Sequence, residues 1–451
     1  MEQISRFNAT TCEYKLITKQ AAIPSKAYVN WGIHLANSGD VEEAIEKFES
    51  SSYMRPLNPE SFNSWGIALA SVGKYEESIS KFRQAVKIDP TCIKSYTLWG
   101  AALVELDRFE EAEQMYKYAI ERSPYNIETY LNWGIALARK NKRNLAEAKF
   151  RKALDLYPRS GQAAFLLGIV LVEMERYNEA IEKLDLSLKF QEGNPEAWHY
   201  YAMALLKIGE YEKAYEKAQI AIKMLPAKAE FEINLAEIFV ALGKDEQATE
   251  CYELAEKIDP ENSELFTSWG ITFQKQGNYA EAVKKLEKAM ELNPENERTM
   301  YFLALSLLET GDSKNLENSR QLFEKVLEKD PRYVDAYIKL GFILRKKEDF
   351  KGAIEKYKEA LKYPLKKTGA NFFIASAYWA LNRHEDAVMY YKRAIEENPE
   401  HAESYAEYAA VLNELGNNDE AIRKIRRACQ LDPGNSTIKM YYNEINSKGR
   451  E

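Results

Sequence analysis

Residues 132–138 read Asn-Trp-Gly-Ile-Ala-Leu-Ala, NWGIALA. The phrase returns along the chain. NWGIHLA stands at 30–36, SWGIALA at 64–70, WGAALV at 99–104 and SWGITF at 268–273. The first copies lie 34 residues apart, and other residue types keep the same step. Prolines fall at 56, 90, 124 and 158, then 226, 260 and 294, then 331, 399 and 433. Glycines recur at 32, 66, 100, 134 and 168, and alanines at 112, 146, 180, 214 and 248. Three residue types sharing period and phase mark a tandem repeat.

Within one period the apolar spacing is helical. Tyr96, Trp99, Gly100 and Leu103 stand at i, i+3, i+4 and i+7, on one helix face. Ala112, Tyr116, Ala119 and Ile120 form a second such face, and Pro124 follows where a helix cannot continue. Gly39, Gly73, Gly209, Gly243, Gly277, Gly311 and Gly416 fall between the two faces, where a left-handed C-cap is needed. Each period therefore predicts a helix–turn–helix hairpin. Gly100 and Ala112 are small where two helices cross closely, and Trp99, Tyr96, Leu103 and Tyr116 fill the space around them. One hairpin cannot bury such a face alone, so the hairpins must stack.

These residues resemble the tetratricopeptide repeat. Its pattern is seen in Phe62, Trp65-Gly66, Leu69, Tyr75, Ser78, Phe82, Ala85 and Pro90. It is seen again in Phe266, Trp269-Gly270, Phe273, Tyr279, Ala282, Leu286, Ala289 and Pro294. Twelve units begin near Ser25, Pro59, Ile93, Ile127, Gly161, Pro195, Ala229, Ser263, Glu297, Val334, Thr368 and Ala402. The resemblance implies an all-α, right-handed α-solenoid of about twelve hairpins over 25–435. An N-terminal arm, 1–24, precedes it. A C-terminal capping helix and polar tail, 436–451, follow, with 436–447 as the helix. Repeat nine carries three extra residues in GDSKNLENSR, so its turn lengthens or its second helix starts a turn early. Repeat ten ends early at Pro364, and repeat eleven places Asn371 where an aromatic is usual. Any bend or hinge would fall between Glu309 and Asn371; the favoured reading is ordinary drift that packs normally.

Composition narrows the function. The formal charge is −8, against the basic face of a general nucleic-acid binder. Cys12, Cys92, Cys251 and Cys429 lie far apart, without a CxxC or a His/Cys cluster, which fits a reducing compartment. The first twenty residues lack the apolar core of a secretory signal, and no run approaches the roughly 18 apolar residues of a membrane span. A cytoplasmic protein without membrane insertion is expected. His34, His199, His384 and His401 occupy four different repeat positions, and no P-loop or strand-borne GxGxxG is present. Acidic pairs such as Glu42-Glu43 and Glu110-Glu111 open second helices, where carboxylates favour the positive end of the helix dipole. No enzyme activity, cofactor or metal is expected.

In tetratricopeptide arrays the first helices line a concave surface that receives a peptide. Positions 5, 6, 9, 12 and 13 of each unit look into that groove. Position 9 here is Ile33, Ile67, Ala101, Ile135, Ile169 and Met203, and then Glu237, Ile271, Leu305 and Phe342. Such an apolar row suits an apolar or amphipathic peptide or helix of another protein, or a second copy of this chain. Close winding that buries position 9 between first helices is the alternative. Position 6 carries Asn30, Asn132 and Asn234, a sparse version of the asparagine ladder of the O-GlcNAc transferase superhelix. An amide both donates and accepts, so it can hold a peptide backbone. The expected partner-binding residues are Asn30, Asn132, Asn234, Ile135, Phe165, Ile169 and Met203. The function expected is a protein–protein interaction scaffold. A self-assembling structural protein, or the regulatory or substrate-binding subunit of an enzyme complex, are the alternatives. The carboxylate clamp of chaperone-binding repeats needs an asparagine at position 9, where this chain has aliphatics.

Overall fold

The structure is a computed structural model that describes residues 25–54, 58–363 and 368–448. The expected N-terminal arm and Pro364 lie outside the described residues. Every helix and turn among the described residues belongs to an all-α solenoid of hairpins. The chain divides into two compact units, Met1–Pro226 and Ala227–Glu451.

The first unit holds six hairpins. They are α1 (Ser25–Ser38) with α2 (Val41–Met54), α3 (Pro59–Ser71) with α4 (Tyr75–Ile88), and α5 (Ile93–Glu105) with α6 (Phe109–Arg122). Then come α7 (Ile127–Arg139) with α8 (Arg143–Leu156), α9 (Gly161–Glu173) with α10 (Tyr177–Phe190), and α11 (Pro195–Lys207) with α12 (Tyr211–Met224). The second unit opens with α13 (Ala229–Ala241) and α14 (Asp245–Ile258), α15 (Ser263–Lys275) and α16 (Tyr279–Leu292), and α17 (Glu297–Thr310) and α18 (Ser313–Lys329). It continues with α19 (Val334–Lys346) and α20 (Phe350–Ala360), α21 (Ala370–Ala380) and α22 (His384–Glu397), and α23 (Ala402–Glu414) and α24 (Asn418–Leu431). The last helix, α25 (Ser436–Lys448), packs on α23 and α24.

Within each unit a second helix packs on its own first helix and on the first helix that follows. The repeated phrase explains why. A Cβ added to Gly100 would stand 2.7 Å from the ring of Tyr116, sixteen residues later on the partner helix. The glycine is small because a ring of the second helix fills the space, rather than because Ala112 comes close. Tyr116 also stacks on Trp133 of the next hairpin, with centroids 6.2 Å apart. One ring therefore joins the Gly of its own hairpin to the Trp of the neighbour. Tyr252 makes the same stack on Trp269 at 5.5 Å, although the notch position of its own hairpin is Ala236. Burial pushes both phenols far above their ordinary range.

The turns follow from local chemistry. The seven expected glycines all take positive φ, such as Gly73 at 78°. Asp107, Asn141, Glu175, Glu348 and Asn382 accept the same left-handed conformation in the remaining hairpins. First helices gain an N-cap that the spacing analysis overlooked. The Asn126 amide oxygen accepts from the Thr129 backbone N–H at 2.9 Å, and Asn194, Asn262 and Asn296 do the same.

Repeats nine to eleven are the irregular ones. The extra residues of repeat nine do not lengthen the turn. They extend α18 to 17 residues, three more than α16, leaving only Gly311 and Asp312 between the helices. In repeat eleven α21 starts at Ala370, after Gly369 at φ 69°, two residues later than the repeat phase predicts. Asn371, in the usual aromatic place, donates from Nδ2 to Glu397 at 2.9 Å.

Candidate functional site

The first helices of successive hairpins touch one another along α1, α3, α5, α7, α9 and α11. Their shared face forms a floor whose chemistry is uniform. From repeat position 3 to position 12 the six segments are 27–36, 61–70, 95–104, 129–138, 163–172 and 197–206. None of them contains Asp, Glu, Lys or Arg. Charge in these helices is confined to positions near either end. There it is partly self-neutralised, as where Arg139 Nη1 meets Glu105 Oε1 at 2.6 Å between α7 and α5.

Position 9 lies on this floor and is neither sealed nor bare. Ile33, Ile67, Ala101, Ile135, Ile169 and Met203 are all half-buried. Close winding does not bury them fully. Phe165 at position 5 is also half-buried, with its ring 6.2 Å from that of Tyr200 in an edge-to-face contact. By contrast Val29, Asn63, Thr97 and Leu131 at position 5 are buried. Ile135 and Phe165 pack at the margin of the continuous core of this unit.

The three asparagines differ. Asn30 and Asn132 are half-buried in the first unit, and neither side chain has a hydrogen-bond partner among the described residues. Asn234, in the second unit, is only 4% exposed. Its neighbours there are of another kind. Glu237, at position 9 of the same helix, accepts from Ser268 Oγ at 3.1 Å. The equivalent segments of the second unit carry Glu232, Glu237, Lys339, Arg345 and Glu407. Burial raises the Glu232 and Glu407 carboxyls above their ordinary range. Glu232 lies beside Cys251, whose thiol is pushed up to about 12 chiefly by its own burial.

Three second-helix lysines, whose role the spacing does not reveal, lie over first-helix tryptophans. Lys81, Lys149 and Lys285 place their ammonium groups 3.4, 3.3 and 3.2 Å from the ring centroids of Trp65, Trp133 and Trp269. Each lysine follows its tryptophan by sixteen residues and adjoins the side chain that fills the glycine notch, Phe82, Phe150 or Leu286. Burial lowers all three ammonium groups from their ordinary range. The recurring interval was visible in the sequence, but a lysine on a second helix reads there as a solvated charge.

Among the described residues no group of three His, Cys, Asp or Glu could hold a metal ion. No described helix is long and apolar enough to cross a membrane.

Comparison with known proteins agrees with this architecture. Tetratricopeptide repeat profiles match residues 29–91, 131–195 and 374–436, and a further one matches 233–262. The profile of the cytochrome c-type biogenesis protein H TPR domain matches residues 260–368. A curated relative, the TPR repeat-containing protein YpiA of Bacillus subtilis (strain 168), is 28% identical over 138 residues, covering 31% of this chain and 32% of that protein. The match thus spans about a third of that relative's length. Among solved structures, Cut9 with Hcn1 from an APC/C hetero-tetramer aligns over 93% of this chain and 96% of that one, at TM-score 0.48 and 12% identity. Yeast Tom70 aligns over 94% and 96%, at TM-score 0.40 and 16% identity. A tetratricopeptide repeat protein from Parabacteroides merdae ATCC 43184 aligns over 55% and 98%, at TM-score 0.48 and 17% identity. With its repeat phase, its ring-in-notch packing and profile matches reaching from residue 29 to residue 436, the chain belongs to the tetratricopeptide repeat family.

Proposed function

We propose that the chain is a protein–protein interaction scaffold whose first unit receives an apolar segment of another protein, either extended or an amphipathic helix. The observation that carries this reading is the floor itself. Six consecutive first helices leave a half-exposed apolar row and no charged side chain between positions 3 and 12. A face made only for water would carry charge there, and a face made only for packing would be buried. Ile135, Phe165, Ile169 and Met203 supply apolar anchors. Asn30 and Asn132 have amides available to hold the guest's backbone.

A random-peptide display selection on the full chain tests this. Selected peptides should be rich in apolar residues. The double variant Ile135→Asp with Ile169→Asp should weaken them at least about tenfold while retaining the parent's helical circular dichroism. Selected peptides that bind this variant as they bind the parent would overturn the reading. If a second copy of the chain is the guest, light scattering will show mass rising with concentration, and the same double variant will abolish the rise.

A further inference from the structure

The second unit ends in a cavity built on its first-helix face. It lies among α21, α23 and α25 and measures about 40 Å³. Trp379, Asn413, Glu414, Tyr441 and Glu444 line it, with two apolar side chains. In repeat register Trp379 and Asn413 hold position 12 and Glu414 position 13. Tyr441 and Glu444 fall at positions 6 and 9 if the register is continued into α25. All are positions of the first-helix face. The last helix therefore does more than cover the final hairpin; it adds a wall to that face.

Two features of the cavity converge on one chemistry. The rings of Trp379 and Tyr441 meet at the cavity, 6.3 Å apart with their planes inclined by 52°, and an aromatic face attracts a cation. The Glu414 carboxylate is held in place by Trp379, whose indole Nε1–H donates to Oε2 at 2.9 Å. His384 Nε2 lies 2.9 Å from the same oxygen, within ion-pair distance but without hydrogen-bond geometry. The second oxygen of Glu414 is not used in either contact. The field is negative. Burial, then the carboxylates Glu407, Glu444 and Glu414, hold the Tyr441 phenol above its ordinary range. Arg345 acts on Glu407, and His384 approaches Glu414.

We infer that this cavity binds the guanidinium of an arginine side chain presented by a protein partner. A volume of about 40 Å³ holds roughly three waters and matches a planar head group. A guanidinium stacks on aromatic faces and donates in a fork to a carboxylate, using both kinds of wall at once. An anion would meet like charge. A bare metal ion would lack ligands, since no group of three ligating side chains is present among the described residues. The site lies wholly in the second unit, so it stands or falls apart from the apolar floor of the first.

The experiment uses the full chain with ¹⁵N-labelled tryptophan. The indole resonance of Trp379 is assigned by its disappearance in Trp379→Phe. Acetyl-Gly-Arg-Gly-amide should shift that resonance saturably. The citrulline analogue, equal in shape and uncharged, should not. Glu414→Gln keeps an acceptor for the indole and should weaken the arginine peptide about tenfold. If Glu414→Gln loses helical structure, Glu444→Gln makes the same reading from α25. Equal shifts by arginine and citrulline, or no saturable shift by either, would overturn the inference.

Discussion

The two units share a period but not a chemistry. In the first, position 8 is glycine in five hairpins, Gly32, Gly66, Gly100, Gly134 and Gly168, with Ala202 as the exception. In the second it is glycine only at Gly270 and Gly341, and alanine at 236, 304, 375 and 409. The floor of the first carries no charge; that of the second carries five charged residues. The second unit also holds the 17-residue α18 and the shortened α20 and α21. Repeat packing is thus set by a few notch and ring positions, leaving the first-helix face free to diverge. The regular unit offers one uncharged face with an apolar row at position 9, and the irregular one a series of distinct polar environments.

The largest expected effect strikes the notch. Gly100→Arg cannot be accommodated, because even its Cβ would stand 2.7 Å from the buried ring of Tyr116. The cost should be roughly 3 kcal/mol or more, from overpacking and an unpaired buried charge. At the matching place in the second unit Ala409→Gly should cost only about 1 kcal/mol, from helix propensity. Thermal unfolding followed by circular dichroism compares them. Equal losses would mean that the notch is not what holds the regular unit together.

The second prediction turns on the floors. Ile135→Asp in the first unit should weaken a display-selected apolar peptide about tenfold, or about 1.4 kcal/mol. Phe342→Asp, at position 9 in the second, should change the same affinity less than about twofold. Isothermal titration gives both. If Phe342→Asp is the more damaging, the guest lies on the other unit.

Much of this was legible in the sequence. The hairpins start where the repeat phase puts them once the three extra residues of repeat nine are allowed for, except that α21 begins at Ala370. There Gly369 turns the chain, a detail set by one backbone conformation and not by the apolar pattern. The insertion of repeat nine left two outcomes open, and the structure takes the early helix start. The apolar row at position 9 was legible, but its degree of burial was not, since that depends on how neighbouring first helices approach. Asn30, Asn132 and Asn234 looked equivalent because spacing does not register burial. The contacts of Lys149 and Lys285 were not legible, because the indoles beneath them lie sixteen residues away in sequence. Tyr441 and Glu444 were assigned to a cap, and only the fold shows that they share a cavity with Trp379 and Glu414.

Those lysines give the third prediction. Lys285→Met keeps most of the aliphatic stem but removes the ammonium over Trp269. It should cost about 1 kcal/mol, within the range of partly desolvated cation–π contacts. Met115 already stands where Lys149 stands in the next hairpin, so Met115→Lys asks whether the first unit gains from the same contact. Chemical denaturation resolves both changes; a neutral Lys285→Met would reduce the lysine row to coincidence.

The smallest effect separates the units by pH. The resolved carboxyl shifts of the first unit, at Asp89, Glu111 and Glu179, are all downward, each led by a side-chain hydrogen bond. In the second unit Glu256, Glu295 and Glu317 shift downward in the same way, but Glu232, Glu264 and Glu407 shift upward, each led by burial. Glu407 is the clearest case. The Tyr391 hydroxyl donates to it at 2.6 Å, Ser376 and Arg345 also favour its charge, Glu403 opposes it, and burial outweighs them. A carboxyl whose folded value is raised holds its proton to higher pH than in the unfolded chain. Its contribution to stability is full below the unfolded value, and is lost as pH rises through the folded one. Glu407→Gln removes that loss while keeping an acceptor for Tyr391. The variant should therefore melt above the parent near neutral pH, and the gap should close at about pH 4, where the parent's carboxyl is protonated in both states. A gap of constant size would mean that the amide packs better for reasons unconnected with charge. A gap that widens on acidification would mean that Tyr391 and Arg345 outweigh burial, making the second unit's floor as tolerant of charge as open solvent.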